Sequence, residues 1–378
     1  MKCNTKMVGF PYKKGNNMIK SMKWVVYSKI LLFITAINLF ANQQEIATAQ
    51  SYKSISNQIL TYLQQKAENY EFSGSVLIAR NNTIIVNKGY GYANHELDVL
   101  NTPKTKFRIG SITKPFTAIA TMQLRERGML SLLDPLSKYI PDYPNGELIT
   151  IHHLLSHTSG VANFTDFKEF RTNSLFETTL EEIIHYFKYK PLLFKPGAEY
   201  DYSNSNYILL TYIIEKVSQQ PYASYVRANI LIPAGMYATG MDVNSTILEN
   251  RASGYDLENN VLINARYTNM SWPQGAGSMY STVKDLYALD RILYTQSLIN
   301  KNSLDLMYTP NKGTYCYGWG TARFCNRRAF LHSGGINGFH GIFIRFIDDN
   351  SCMILLSNFR FSQVDDMARD LAAILFGC

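Results

Sequence analysis

A serine and a lysine three residues apart, Ser111 and Lys114, stand at the start of a segment whose apolar residues Ile112, Phe116, Ile119, Ala120 and Leu124 fall on one helical face. A spacing of three puts both side chains on the same side of a first helical turn. Pro115 is tolerated there because the N–H it lacks has no intrahelical partner in that turn. Such a serine can act as a nucleophile, since unpaired N–H groups beside it can receive an oxyanion. The lysine can take the hydroxyl proton only if burial and nearby positive potential lower its pKa from about 10.4. Taken alone, Ser111 reads better as an ordinary N-cap, and the same spacing recurs at Ser281-Thr282-Val283-Lys284.

Two further segments change that balance. Tyr202-Ser203-Asn204 follows the turn Pro196-Gly197 and precedes an apolar helix from Tyr207 to Val217. A tyrosine near a positive group can shuttle a proton, and an asparagine can both orient a lysine and donate to a substrate amide. His332-Ser333-Gly334-Gly335 ends a β-rich run. Its glycines allow a substrate backbone to pair closely along a strand edge, and the Gly335 N–H is a candidate second oxyanion donor. A polar helix start and a turn are the plain alternatives for these two segments.

The elements that must position these groups follow from the order of patterns along the chain. Ile55, Ile59, Leu63 and Ala67 predict a helix from Tyr52, and Gly74–Ala79 and Thr83–Asn87 predict a hairpin about Asn81-Asn82. Residues from about 111 to 240 read largely as helices broken by Gly and Pro. Strands return at Tyr315–Trp319, Ala322–His332, His340–Ile347 and Cys352–Ser357, and a last helix carries Val364, Met367, Ala368, Leu371 and Leu375 on one face. The predicted fold class is α+β: one antiparallel sheet built from both ends of the chain and flanked by helices, with a mostly helical domain inserted. The cleft between the two parts is the natural place for a site.

Charge excludes one function class. The chain of 378 residues carries +8, but residues 1–49 hold seven lysines against Glu45 alone, leaving 30 basic and 28 acidic residues, or +2, for the body. A nucleic-acid surface needs its basic residues on the folded domain. The lysine-rich start, the apolar run Ile30–Ala41 and the small-x-small Ala47-Thr48-Ala49 read as an export signal over 1–49, with an uncleaved membrane anchor as the alternative. Domain boundaries follow: 50–376 as the catalytic domain, its sheet part at about 52–105 and 275–376 and its helical part at about 106–274. Export permits disulfides, and a turn at Gly320-Thr321 would set Cys316 opposite Cys325; two buried free thiols are the equal alternative. Cys352, in an apolar run, reads as core.

Together and in order, these segments resemble the serine β-lactamase and penicillin-binding-protein family, with its Ser-x-x-Lys, Tyr-x-Asn and Lys/His-Thr/Ser-Gly motifs. The likeness is to class C β-lactamases and the related D-alanyl-D-alanine carboxypeptidases and esterases. It extends through Phe107-Arg108-Ile109-Gly110, Leu154-Leu155-Ser156-His157-Thr158-Ser159-Gly160, Tyr202–Tyr207 and Gly275-Ala276-Gly277-Ser278, over about residues 55–376.

The resemblance implies Ser111 as a nucleophile that forms an acyl-enzyme, with Lys114 and Tyr202 sharing the proton transfers. Asn204 would hold the substrate's acyl side and the lysine, and the Ser111 and Gly335 N–H groups would form the oxyanion hole. His332, Ser333, Gly334 and Gly335 would make the substrate edge, with His157 structural, and no metal or cofactor is called for. His332 departs from the lysine of many relatives. A partly charged histidine there would attract a substrate carboxylate more strongly as pH falls, and it tilts the expectation toward a peptidase or esterase. The expected partner is a small peptide, β-lactam or ester. A short-chain esterase and a sensor that binds without turnover are the alternatives.

Overall fold

Two strands from opposite ends of the chain lie side by side at the centre of the main sheet. Gly74–Arg80 (β1) pairs antiparallel with Ser351–Ser357, in the register Val76↔Leu355 and Ile78↔Met353. The computed structural model describes residues 1–9 and 16–378, with side chains between 10 and 49 described only in part. Thr83–Tyr90 (β2) returns beside β1 across Asn81-Asn82, both at positive φ. Three strands, Gly320–Phe324 (β3), Arg327–Ile336 (β4) and Phe339–Phe346 (β5), precede Ser351–Ser357 (β6), and the sheet runs β3-β4-β5-β6-β1-β2.

The centre of the sheet is buried on both faces, which is why β1 and β6 read as continuous apolar runs rather than alternating ones. Val76, Ile78, Met353 and Leu355 meet one helical layer. It is formed by Ile59 and Leu63 of α1 (Asn16–Glu68) and by Val364, Met367, Leu371 and Leu375 of the last helix. Leu77, Ile354 and Leu356 alternate with them and face the second core, shared with Phe116 and Ile119 of α2 (Lys114–Glu126) and with α3 (Asn204–Ser218). The helices α4 (Gln274–Gly277), α5 (Val283–Ile292) and α6 (Val364–Phe376) complete the elements used below. The architecture is thus the predicted antiparallel sheet from N- and C-terminal strands with a helical insertion.

Three local expectations change. Tyr315–Trp319 is not a strand: Tyr315 makes a single bridge to Gly320, and β3 begins only there. The run taken as one strand from Ala322 is instead a hairpin, turning at Cys325-Asn326 with both φ positive, at 50° and 59°. Two positive φ values are what a tight hairpin turn demands, so the turn sits five residues beyond the Gly320-Thr321 expected for it. Cys325 therefore lies at a hairpin tip, away from Cys316. It is disulfide-bonded to Cys378, with the Cα atoms 5.9 Å apart, while Cys316 and Cys352 are buried free thiols.

Residues Ile55–Cys378 form one compact unit and Met1–Ser54 another. The apolar run Ile30–Ala41 and Ala47-Thr48-Ala49 fall within α1, while the part of the expected signal at residues 10–15, with Lys13 and Lys14, lies outside the described residues. Among the described residues, no helix is long and apolar enough to cross a membrane.

Candidate active site

Ser111 lies in a 3-10 turn, Gly110–Thr113, that runs directly into α2. Gly110 has φ +50°, and an atom at the Cβ position of Gly334 would stand 2.0 Å from the Ile109 carbonyl oxygen. Only glycine lets β4 and the serine turn approach this closely. The approach is possible because β3 pairs with β4 only from Arg327 to Leu331, so beyond Leu331 the outer edge of β4 is left to the serine turn.

Lys114 is 0% exposed. Its Nζ donates to Asn204 Oδ1 at 2.8 Å and to the Ala276 carbonyl of α4 at 2.9 Å, and lies 3.0 Å from Ser111 Oγ. Burial holds this amine well below the ordinary lysine range. A neutral amine has two N–H groups and one lone pair. With both hydrogens spent on the two carbonyls, the lone pair is left for the Ser111 hydroxyl. On the other side of Ser111, the Tyr202 hydroxyl donates to Oγ at 3.0 Å, and burial raises the phenol so that it keeps its proton. The Tyr202 ring also faces Lys114 Nζ at 4.8 Å. With the amine neutral, these three groups can form a directed chain, Tyr202 O–H to Ser111 O–H to Lys114 nitrogen.

Tyr202 and Asn204 are held at the entrance to α3 by groups from a distant loop. Asn163 Oδ1 accepts from the Asn204 backbone N–H at 3.0 Å and faces its Nδ2 at 3.3 Å, while Thr165 Oγ1 accepts from the same Nδ2. This fixes the amide with its oxygen on the lysine. His157, buried and at φ +56°, accepts the Ser203 N–H on Nδ1 at 3.1 Å, and its ring lies 4.3 Å from that of Tyr202. The loop expected to be structural thus anchors the tyrosine directly.

The His332 segment divides. Gly335 lines the cavity beside Ser111. His332 is buried, and its Nδ1–H donates to the Ser333 carbonyl at 2.6 Å, leaving Nε2 to accept from the Tyr315 hydroxyl at 3.1 Å. Burial pushes its pKa down to about 3. Against the expectation of a partly charged His332 attracting a carboxylate, burial favours the neutral ring, which is turned into a cluster with Tyr315 and Tyr202. Ser333 alternates with His332 along β4 and shares the strand face of Gly335.

The cavity, about 330 Å³, is lined by Ser111, Asn204 and Gly335 together with Phe164, Phe170 and three arginines, Arg171, Arg266 and Arg360. These arginines carried no motif in the sequence and were not anticipated. Nor was Tyr315, hidden by the strand reading of its segment. Among the described residues, no group of His, Cys, Asp and Glu is placed to hold a metal ion.

Comparison with known proteins agrees with this geometry. The Beta-lactamase family model matches residues 61–376. PbpX of Bacillus subtilis (strain 168), named as a penicillin-binding protein, is 34% identical over 279 residues, covering 74% of this chain and 67% of that protein. The crystal structure of a penicillin binding protein from Bacillus halodurans covers 81% of this chain and 98% of its own, with TM-score 0.73 and 28% identity. An octameric penicillin-binding protein homologue from Pyrococcus abyssi gives TM-score 0.75 and 30% identity, over 85% of this chain and 77% of its own. The chain belongs to the β-lactamase family.

Proposed function

We propose that this β-lactamase-family protein is an exported serine hydrolase that opens amide bonds of D-amino-acid peptides through a Ser111 acyl-enzyme. The observation that carries the reading is the Lys114 amine, desolvated and held by two carbonyls with its remaining valence 3.0 Å from Ser111 Oγ. Lys114 takes the Ser111 proton as Oγ forms a bond to the substrate carbonyl carbon, and the carbonyl electron pair moves onto oxygen. The N–H groups of Ser111 and Gly335 receive that oxyanion. The proton passes from Lys114 through Tyr202 to the departing nitrogen as its bond to carbon breaks, leaving the acyl-enzyme. Water then repeats the sequence: it gives its proton to the same pair, attacks the ester carbon, and Oγ leaves with that proton. Asn204, whose amide oxygen is committed to Lys114, keeps the amine oriented through both halves.

Export is part of the proposal. It is supported by the basic, apolar and small-residue order of 1–49 and by the Cys325–Cys378 disulfide, which an oxidising compartment sustains. Fluorescent penicillin or an active-serine phosphonate should label the wild-type protein covalently and spare Ser111→Ala; equal labelling of both would sink the reading. Turnover of a diacyl-D-Ala-D-Ala peptide, a chromogenic cephalosporin and a p-nitrophenyl ester, compared side by side, ranks peptidase, lactamase and esterase chemistry. Stoichiometric acylation without release would instead favour a sensor.

A further inference from the structure

The Tyr202 hydroxyl is bound to Ser111 Oγ, the atom that moves when the acyl bond forms. That contact cannot hold the phenol through the reaction, so its position falls to the rings around it. Their centroids lie at 4.3 Å for His157, 6.0 Å for Tyr315, which is nearly perpendicular, and 6.3 Å for His332. His157 Nδ1 is engaged by the Ser203 N–H, while its Nε2 has no hydrogen-bond partner among the described residues, so the rest of that ring is held by packing. Tyr315 packs against it at 4.6 Å.

Tyr315 is itself fixed from two sides. The Asn311 N–H donates to its carbonyl at 3.1 Å, and the turn that follows closes with the Cys316 N–H on the Trp319 carbonyl at 2.7 Å. Gly318 in that turn has φ +74°, and a Cβ there would stand 3.0 Å from the Lys114 carbonyl oxygen, so the turn sits directly against the start of α2. On the other side, the Tyr315 hydroxyl reaches His332 Nε2 at 3.1 Å. The direction of this bond follows from its neighbour: the Ser333 carbonyl can only accept, so in the neutral ring Nδ1 carries the hydrogen and Nε2 offers a lone pair. Burial keeps the Tyr315 phenol protonated and able to donate, while Tyr207, also close, gives its own hydroxyl to the Leu155 carbonyl at 3.1 Å. One hydroxyl thus ties the rings beside Tyr202 to β4, the strand that carries Gly335.

We infer that Tyr315 is a positioning residue for acylation, holding the Tyr202 phenol in register with the strand that carries the Gly335 N–H. The inference rests on the reading of Ser111 as nucleophile and Tyr202 as its proton shuttle. Tyr315 does not line the cavity, so it acts through Tyr202 and His332 rather than on the substrate. Loss of its hydroxyl therefore slows bond formation and leaves substrate binding alone.

Acylation of the full chain by fluorescent penicillin, followed by stopped-flow over a range of concentrations, separates the acylation rate constant from the binding constant. Tyr315→Phe keeps the ring and removes the bond to His332. It should lower the rate constant roughly tenfold per titrated active site and leave the binding constant within about twofold. In the Tyr202→Phe background, where there is no phenol to place, the same change should cost less than about twofold, whereas a merely structural loss would persist there. An unchanged rate in Tyr315→Phe, a loss carried by binding, or the full loss repeated in the Tyr202→Phe background would overturn the inference. Nitrogen NMR of histidine-labelled wild type, with the His332 signal identified by its loss in His332→Gln, should show Nδ1 protonated and Nε2 bare; the opposite tautomer would overturn it as well. Absence of labelling in wild type, or labelling that survives Ser111→Ala, would instead overturn the catalytic reading beneath it.

Discussion

The chain contains two Ser-x-x-Lys segments, and their difference shows what a site requires beyond spacing. Ser281 and Ser111 are near neighbours, since Phe107–Arg108, four residues before Ser111, pairs with Met279–Ser281 in the register Phe107↔Ser281. Both serines precede a helix. Yet Lys284 is exposed on α5, and Ser281 Oγ is bound to Thr239 Oγ1 at 2.7 Å, while Thr282 caps the helix by accepting the Asp285 N–H. Lys114 instead points into the interior, where Asn204 and the Ala276 carbonyl await it and water is excluded. The local motif sets only the distance between serine and lysine. Removing the amine's solvent and filling its other hydrogen bonds takes α3 and α4, from 90 and 162 residues away in sequence.

The sharpest break of this comparison is at the serines. Ser111→Ala should lower turnover by on the order of 10⁴-fold or more, whereas Ser281→Ala should leave it within about twofold; steady-state kinetics on the best substrate checks both. At the lysines, Lys114→Met should cost roughly 10²–10⁴-fold and Lys284→Met almost nothing. Lys114 works only when deprotonated, so the rate should rise with pH through its depressed pKa. The acid limb of kcat/KM should lie well below the ordinary lysine range, and a limb in that range would contradict a desolvated base.

A smaller effect is expected from Tyr202→Phe, about 10²-fold in acylation by stopped-flow, with Ser111 still labelled slowly because Lys114 remains. The smallest sharpens the electrostatics. His332 is held neutral in the fold, with its pKa lowered from about 6.5 in the unfolded chain to about 3. The unfolded chain therefore binds the extra proton first. This contribution to stability is complete above about pH 6.5 and is lost as pH falls toward 3. Urea midpoints of His332→Gln should fall less between pH 7 and pH 4 than those of the wild type; parallel curves would show that His332 titrates freely.

Much of this arrangement was legible because it is written in short-range signals. Ser111, Lys114, Tyr202 and Asn204 could be placed from three ordered motifs, and the sheet from apolar runs at both ends of the chain. The charge-bearing wall was not legible. Arg360 sits in Asn358-Phe359-Arg360-Phe361, which in sequence looks like the solvated end of a strand, and only the folding of the segment after β6 back toward β4 lays it across Gly335. The state of His332 was misjudged for a related reason: its type suggests partial charge, but its charge is decided by burial and by Tyr315, whose segment gave a strand-like pattern and no strand. The disulfide escaped because a cysteine at positive φ is not a turn signal, so the hairpin was centred on the wrong pair of residues.

The adjacency of β1 and β6 has a consequence for the order in which the molecule can be made. Synthesis delivers Ser111 and Lys114 some 240 residues before Ser351–Ser357, the strand that joins β5 to β1. Until that strand arrives, the β1–β2 hairpin has only one partner of its pair, and the strand β4 that flanks the nucleophile cannot be tied to it through β5 and β6. Loop closure over such a span must come before any of these contacts rewards it, which makes the sheet slow to close. A polypeptide released before residue 351 carries the nucleophile, its base and β4, but not the central strand that joins β4 and β5 to β1.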